Sequence, residues 1–144
     1  MSEEKDFTGK DMRKSNFSGS NLRGSKMTGG DMIWSNMSKS NFRGSNMSKS
    51  NFSNSNMSKS NFSGSNLRGS DMTYSDMGDS KMIGSDMRGC DMSYSDIRYS
   101  DMSRSNLSSS NFSGSDMTRS DLTDTKISAK YKDLIDWVEE DDDE

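Results

Sequence analysis

A large apolar residue recurs at every fifth position of this chain. From Phe7 to Ile127, each residue whose number is two more than a multiple of five is large and apolar. The 25 such positions hold 13 Met, 6 Phe, 4 Leu and 2 Ile. Five matches neither the helical period of 3.6 nor the strand period of 2, so each repeat must contain a corner. If one pentad forms one side of a square, four pentads close a coil of 20 residues. Successive coils then pair as short parallel strands about 4.8 Å apart. The central apolar residue points inward, and so does the small residue two places before it. That small residue is Ser in 20 of the 25 pentads; the exceptions are Lys5, Lys10, Gly30, Cys90 and Thr125. The other three positions face water. The hydrophobic fraction is 27% and the mean hydropathy −1.04, values that without the period describe a chain too polar to fold. With the period, the same composition builds a continuous core.

The pentads SNLRG (20–24 and 65–69) and SNFSG (15–19, 60–64 and 110–114) closely match a known consensus: a small residue, Asp or Asn, Leu or Phe, then two free positions. The chain resembles the pentapeptide-repeat family over about residues 6–129. The resemblance implies an all-β fold, a right-handed quadrilateral parallel β-helix of about six coils. Two departures are visible. Ser replaces the more usual Ala at the inward small position, and Met replaces Leu at half of the central ones. A buried hydroxyl needs an acceptor, so stacked Ser residues are expected to bond to one another or to corner carbonyls. Methionine is flexible and fills irregular gaps. Periodicity places the Met row in the core rather than in a soft-metal site, and Cys90 at an inward small position reads as an inert core thiol. No cofactor is expected.

After Ile127 the spacing changes. Tyr131, Leu134, Ile135 and Val138 fall at i, i+3, i+4 and i+7, which predicts a short amphipathic α-helix over 130–139. The expected organisation is a lead-in (1–5), a β-helix (6–129), a capping helix (130–139) and an acidic tail (140–144). A helix this short needs a surface to pack on, and the open last coil supplies one. Trp137 adds a second apolar side, so a homodimer seam is the alternative. The acidic run Glu139, Glu140, Asp141, Asp142, Asp143 and Glu144 is expected on a basic surface of this protein or of a partner. At the other end, Lys5 and Lys10 at inward positions predict a frayed or partner-covered first coil.

Residues 20 apart stack, so surface rows are legible. One corner row holds Lys14, Trp34, Asn54, Tyr74, Tyr94 and Gly114. Three of these are aromatic, and Tyr74 and Tyr94 are expected to be direct neighbours. Ile33 lies beside Trp34, expected to point outward. Asp11, Asp31, Asp71 and Asp91 share the face, against Arg13 and Lys14, for a net charge of −2. Aromatics with an acidic rim form a candidate protein-binding patch; its residues are Ile33, Trp34, Asp71, Tyr74, Asp91 and Tyr94. A second face carries Lys26, Lys49, Arg68, Arg88 and Lys126 against Asp6 and Asp86, net +3. Rows of Asn, such as Asn16, Asn36 and Asn56, are expected to bond up and down the stack.

Charge also varies along the axis. Residues 1–64 are net +5, residues 65–128 net −3 and residues 129–144 net −6. This permits end-to-end stacking of copies. The chain has no His and one Cys, so no metal-ligand cluster or cysteine–histidine pair is available. Its serines are lattice positions on a flat surface, and an enzyme is not expected. No apolar run is long enough to span a bilayer, and no membrane association is expected; the default compartment is the cytosol or the inside of a virus or phage particle. The expected function is a non-enzymatic rigid rod presenting a patterned surface to a protein partner, alone or as a component of a larger assembly or virus or phage particle. The family resemblance implies a second reading, a DNA-mimicking inhibitor or protector of DNA gyrase or topoisomerase. A duplex about 30 Å long carries roughly 18 negative charges, whereas residues 1–128 are net +2, which disfavours mimicry. Direct nucleic-acid binding is not expected.

Overall fold

Every backbone N–H of a typical pentad finds a partner, and this accounting builds the coil. Around Met32, the central N–H donates to the Asn51 carbonyl at 2.7 Å and the corner Trp34 N–H to the Ser53 carbonyl at 3.2 Å. In return, Asn51 N–H donates to the Gly30 carbonyl at 2.9 Å. The turn closes when Ser35 N–H donates to the Met32 carbonyl at 3.2 Å. The remaining N–H, one residue past the centre, points away from the neighbouring coil. It is taken by the side chain two residues earlier: Ser53 N–H donates to Asn51 Oδ1 at 3.0 Å. Asn or Asp is needed at that place because each offers a short side-chain acceptor for a local turn.

The computed structural model describes residues 5–134. Parallel bridges join residues 20 apart without interruption, from Asp6↔Lys26 to Asn106↔Lys126. The result is a square, right-handed column. Central side chains fill it: Met27, Met47, Phe52, Met87 and Phe112 are each 0% exposed. Phe42 and Phe62, one coil apart, stack with ring centroids 5.0 Å apart and planes 3° from parallel.

Most inward serines share one pattern, while Ser25, Ser75 and Ser115 donate to the carbonyls three residues earlier, of Leu22, Met72 and Phe112. Ser35 Oγ donates to the Met12 carbonyl at 2.9 Å and Ser55 Oγ to the Met32 carbonyl at 2.7 Å, so the hydroxyl reaches a corner carbonyl of the preceding coil. Several hydroxyls also accept from the Ser N–H one coil earlier, as Ser55 Oγ does from Ser35 at 3.3 Å. Among the described residues no buried side-chain polar atom lacks a partner. Cys90 takes the serine role, its thiol donating to the Leu67 carbonyl at 2.8 Å. Burial pushes that thiol up to about 12, far from the thiolate that reactivity needs.

The asparagine rows behave differently from the expectation of bonds along the stack. Each Oδ1 accepts from its own pentad, as in Ser18 N–H to Asn16 and Ser38 N–H to Asn36. The backbone amide two residues on is nearer and better aimed than the next coil's side chain.

The left-handed conformation of the corners is not legible from hydrophobic spacing. All 24 corner residues from Gly9 to Asp124 have positive φ, between 55° and 70°. Ten are glycine and fourteen are not. The left-handed conformation costs a non-glycine residue roughly 1–2 kcal/mol, and a bulky one is unusual there.

Both ends depart from expectation. The first coil keeps its register, with Phe7 N–H donating to the Lys26 carbonyl at 2.7 Å. Lys5 and Lys10 avoid the interior by staying exposed, and Lys5 Nζ caps the Asn21 carbonyl. Phe7 and Phe17 meet edge to face at 6.1 Å. At the far end, the segment Ala129–Leu134 is a 3₁₀ helix rather than the start of an α-helix, and it begins one residue before the expected boundary. Tyr131 N–H bonds back to the Ser128 carbonyl at 3.1 Å, the tighter spacing used at chain turns. It drives Tyr131 onto the last coil, where the ring is 5% exposed and meets Phe112 edge to face at 5.5 Å. Ile135, Trp137, Val138 and the acidic residues Glu139 to Glu144 lie outside the described residues.

Candidate functional site

The aromatic corner row forms as a physical column. Trp34, Tyr74 and Tyr94 are 61%, 61% and 59% exposed. Tyr74 and Tyr94 stack with centroids 5.1 Å apart and planes 11° from parallel. Stacking follows from the coil: side chains 20 residues apart leave identical corners with identical φ. Tyr94 then leans over the next corner, Gly114. A Cβ built there would lie 2.7 Å from the Tyr94 ring, so only glycine leaves that ring its place. At the other end of the column, Lys14 Nζ sits 5.4 Å from the Trp34 ring centroid. Asn54 separates Trp34 from the tyrosine pair.

The surroundings of this column are more tied down than the sequence suggests. Ile33 is half-buried. Asp71 and Asp91 are bridged neighbours, and each commits Oδ1 to its own turn. Asp71 accepts from Thr73 N–H and Oγ1 at 3.0 and 2.8 Å, and Asp91 from Ser93 N–H and Oγ at 3.1 and 2.7 Å. Near Trp34, Arg13 forks onto Asp11 at 2.8 and 2.7 Å, with Asp31 at 3.9 Å on its other side. The Arg13 hydrogen bonds hold the Asp11 carboxyl at about 2. Asp11, Arg13, Lys14, Ile33 and Trp34 line a shallow depression of about 500 Å³. The structure thus brings together Tyr74, Tyr94, Asp71 and Asp91 as one cluster and places Trp34 with Ile33 in a second, two coils away.

One exposed aromatic escaped the sequence reading. Tyr99, at the next corner of the same coil as Tyr94, is 55% exposed, with the Arg119 guanidinium 5.8 Å from its ring centroid. Its signal was its position number: residue 99 is a corner, and residue 119 lies one coil on.

The basic face is also altered. Arg88 forks onto Asp86 at 2.8 and 2.7 Å, so its charge is spent locally and does not join Arg68. The same clamp forms between Arg98 and Asp96 at 2.9 and 2.7 Å. A rule emerges. An Arg just past the pentad centre is clamped where Asp precedes the centre, and Arg23, Arg43 and Arg68, preceded by Asn, have no carboxylate to fold onto. Among the described residues, no group of three His, Cys, Asp or Glu is arranged to hold a metal ion, and no helix is long and apolar enough to cross a membrane.

A column of square coils with inward Ser and Met rows and left-handed corners defines a right-handed quadrilateral β-helix. The model for pentapeptide repeats matches residues 4–29, 35–73, 50–89, 75–108 and 85–124 with 8 copies, and the chain belongs to that family. Solved structures are similar in fold. A pentapeptide repeat protein from the cyanobacterium Cyanothece 51142, Rfr23, has a TM-score of 0.60 at 15% identity, covering 86% of this chain and 88% of its own. Another, alr5209 from Nostoc Pcc 7120, has a TM-score of 0.57 at 20% identity, covering 61% and 70%. QnrB1, a plasmid-mediated fluoroquinolone resistance protein, has a TM-score of 0.28 at 15% identity over 89% of both chains. Among curated proteins no sequence matches.

Proposed function

We propose that this chain is a non-enzymatic interaction protein, a rigid rod whose Trp34–Tyr74–Tyr94 corner column docks a protein partner. One observation carries the reading. These large aromatics stand more than half exposed at left-handed corners, where glycine costs the backbone least. Fold stability does not ask for them there. Aromatic side chains are enriched in protein interfaces because they bury a large area for little lost freedom. The stacked tyrosines offer a preformed surface, and the Asp71–Asp91 pair beside them gives it an acidic edge.

Recovery of partners from host extracts tests this. Wild type and a Trp34→Ala, Tyr74→Ala, Tyr94→Ala variant are used as bait after equal melting temperatures confirm both are folded. Loss of the main partner with the variant is expected; equal recovery with both baits sinks the reading.

DNA mimicry is the competing function. Stacked carboxylates at Asp76, Asp96 and Asp116 favour it locally, as a row of negative charge at about 4.8 Å spacing. Arg98 lies within that row, 2.7 Å from Asp96 and 3.8 Å from Asp116, and weakens it. A gyrase supercoiling assay separates the two readings: inhibition at micromolar protein would replace the rod proposal with the mimic.

A further inference from the structure

Opposite the aromatic face, a third surface carries a basic groove. Arg43, Gly64, Lys81, Gly84 and Arg104 line a shallow depression of about 590 Å³. Its floor is bare because Gly64 and Gly84 are stacked corners, with no atom within 4 Å of where their Cβ would lie. Around that floor stand three exposed cations, Arg43, Lys81 and Arg104. Arg43 follows Asn41 and has no carboxylate to fold onto, unlike Arg88 on Asp86. Lys81 occupies a position normally held by Asn or Asp. Among the described residues none of the three forms an ion pair. No carboxylate lines the groove. Asp101, stacked on Lys81, turns Oδ1 to Ser103 N–H and Oγ at 3.0 and 2.6 Å.

The positive stretch is bounded at one end. Arg43 and Arg104 lie three coils apart, about 14 Å along the axis at strand spacing, and Arg23 stands one coil before Arg43 on the same face. Beyond Arg104 the same face turns acidic at Asp121 and Asp124. Duplex DNA of that length carries roughly eight charges and would continue past the groove onto the acidic coil. A strand of carboxylates fits better. Six extended residues span about 20 Å, enough to pass all three cations.

We propose that this groove is a binding site for a carboxylate-rich peptide strand, and that its occupant is the chain's own Glu139–Glu144. Charge complementarity is direct: the groove has three cations, and the segment is six consecutive acids. Four residues, 135–138, tether Glu139 to Leu134; they span up to about 13–14 Å when extended, more than two coils at strand spacing. Tethering favours this occupant over a free peptide, because a short linker supplies an effective concentration in the millimolar range.

The probe is a fluorescein-labelled peptide of residues 138–144, titrated by anisotropy into full-length proteins. In wild type the tethered segment competes. A variant with all six acids of 139–144 changed to Gln or Asn is expected to bind the peptide about tenfold more tightly than wild type. In that variant background, Arg43→Gln, Lys81→Gln, Arg104→Gln is expected to weaken binding about tenfold, the scale of three exposed charge pairs. Removing the same charge from another face, with Lys49→Gln, Arg68→Gln, Lys126→Gln, is expected to change it less than about twofold. All these groove substitutions are at exposed positions, and a melting curve confirms each variant is folded. Equal peptide binding to wild type and the neutralised variant, or equal loss from both triple variants, overturns the proposal. Sedimentation velocity completes the test: a monomer is expected, and a dimer that disappears with the neutralised segment would overturn occupancy within one chain in favour of a second copy.

Discussion

Two corner columns run along the rod with nearly the same backbone and opposite chemistry. One carries Trp34, Asn54, Tyr74 and Tyr94, with φ of 55–58°; the other carries Gly24, Gly44, Gly64 and Gly84, with φ of 65–69°. The glycine column takes the conformation at little cost, and the aromatic column takes it against the preference of its residues. Both stand on the same packed interior. The difference therefore teaches that corner side chains are not chosen by the fold, and that the aromatic column answers to something outside it. The bare column, flanked by unpaired cations, leaves room for a ligand instead.

The strongest way to break the comparison is to remove the interior that both columns share. Phe52→Ala empties a site that is 0% exposed; a loss of about 3–5 kcal/mol is expected, measured by urea denaturation. A loss below about 1 kcal/mol would mean the coils do not depend on that packing.

Next in size is a transplant. Gly84→Tyr puts an aromatic on the glycine column, and a loss of about 1–2 kcal/mol is expected from backbone strain. The reverse exchange, Trp34→Gly, is expected to stabilise the rod by about 0.5–1 kcal/mol while weakening partner recovery. Its gain is smaller because the Lys14–Trp34 contact is lost, a surface interaction of about 0.5–1 kcal/mol. If Gly84→Tyr is neutral and Trp34→Gly destabilises, the aromatic column is structural.

The smallest effect concerns the charged clamps between the columns. Asp96 is held below its ordinary value chiefly by the Arg98 hydrogen bond, and Asp86 likewise by Arg88. A carboxylate with a lowered folded value contributes stability above its unfolded value, near 3.8, and that stability is lost as pH falls through the folded value. Melting temperature is therefore expected to hold from pH 7 to about 5 and decline below about 4. Asp96→Asn should lower it slightly at pH 7 and flatten the acid decline. An unchanged acid slope in that variant would show the clamp to be energetically idle.

Much of this was legible beforehand because stacking is arithmetic. Once the period is five and the coil twenty, Tyr74 must neighbour Tyr94, and Met47, Phe52, Met57 and Phe62 must line one turn. What escaped was the direction of polar groups. Whether Asn36 bonds along the stack or to Ser38 depends on where the corner aims the Ser38 amide. Whether Arg88 joins Arg68 or folds onto Asp86 depends on a two-residue reach that charge counting ignores. Tyr99 lies off the aromatic face, at the next corner of the coil, and the corner lattice extends to all four faces.

By itself, the sequence determined the coil, the inward rows and the partners of each stacked column, because burying one large residue in five leaves one closed geometry. Tertiary structure alone decided the left-handed corners, the clamped and unclamped arginines and the 3₁₀ segment over Phe112. Those outcomes depend on which amide or carbonyl a turn leaves within about 3 Å of a side chain, and hydrophobic spacing carries no record of that.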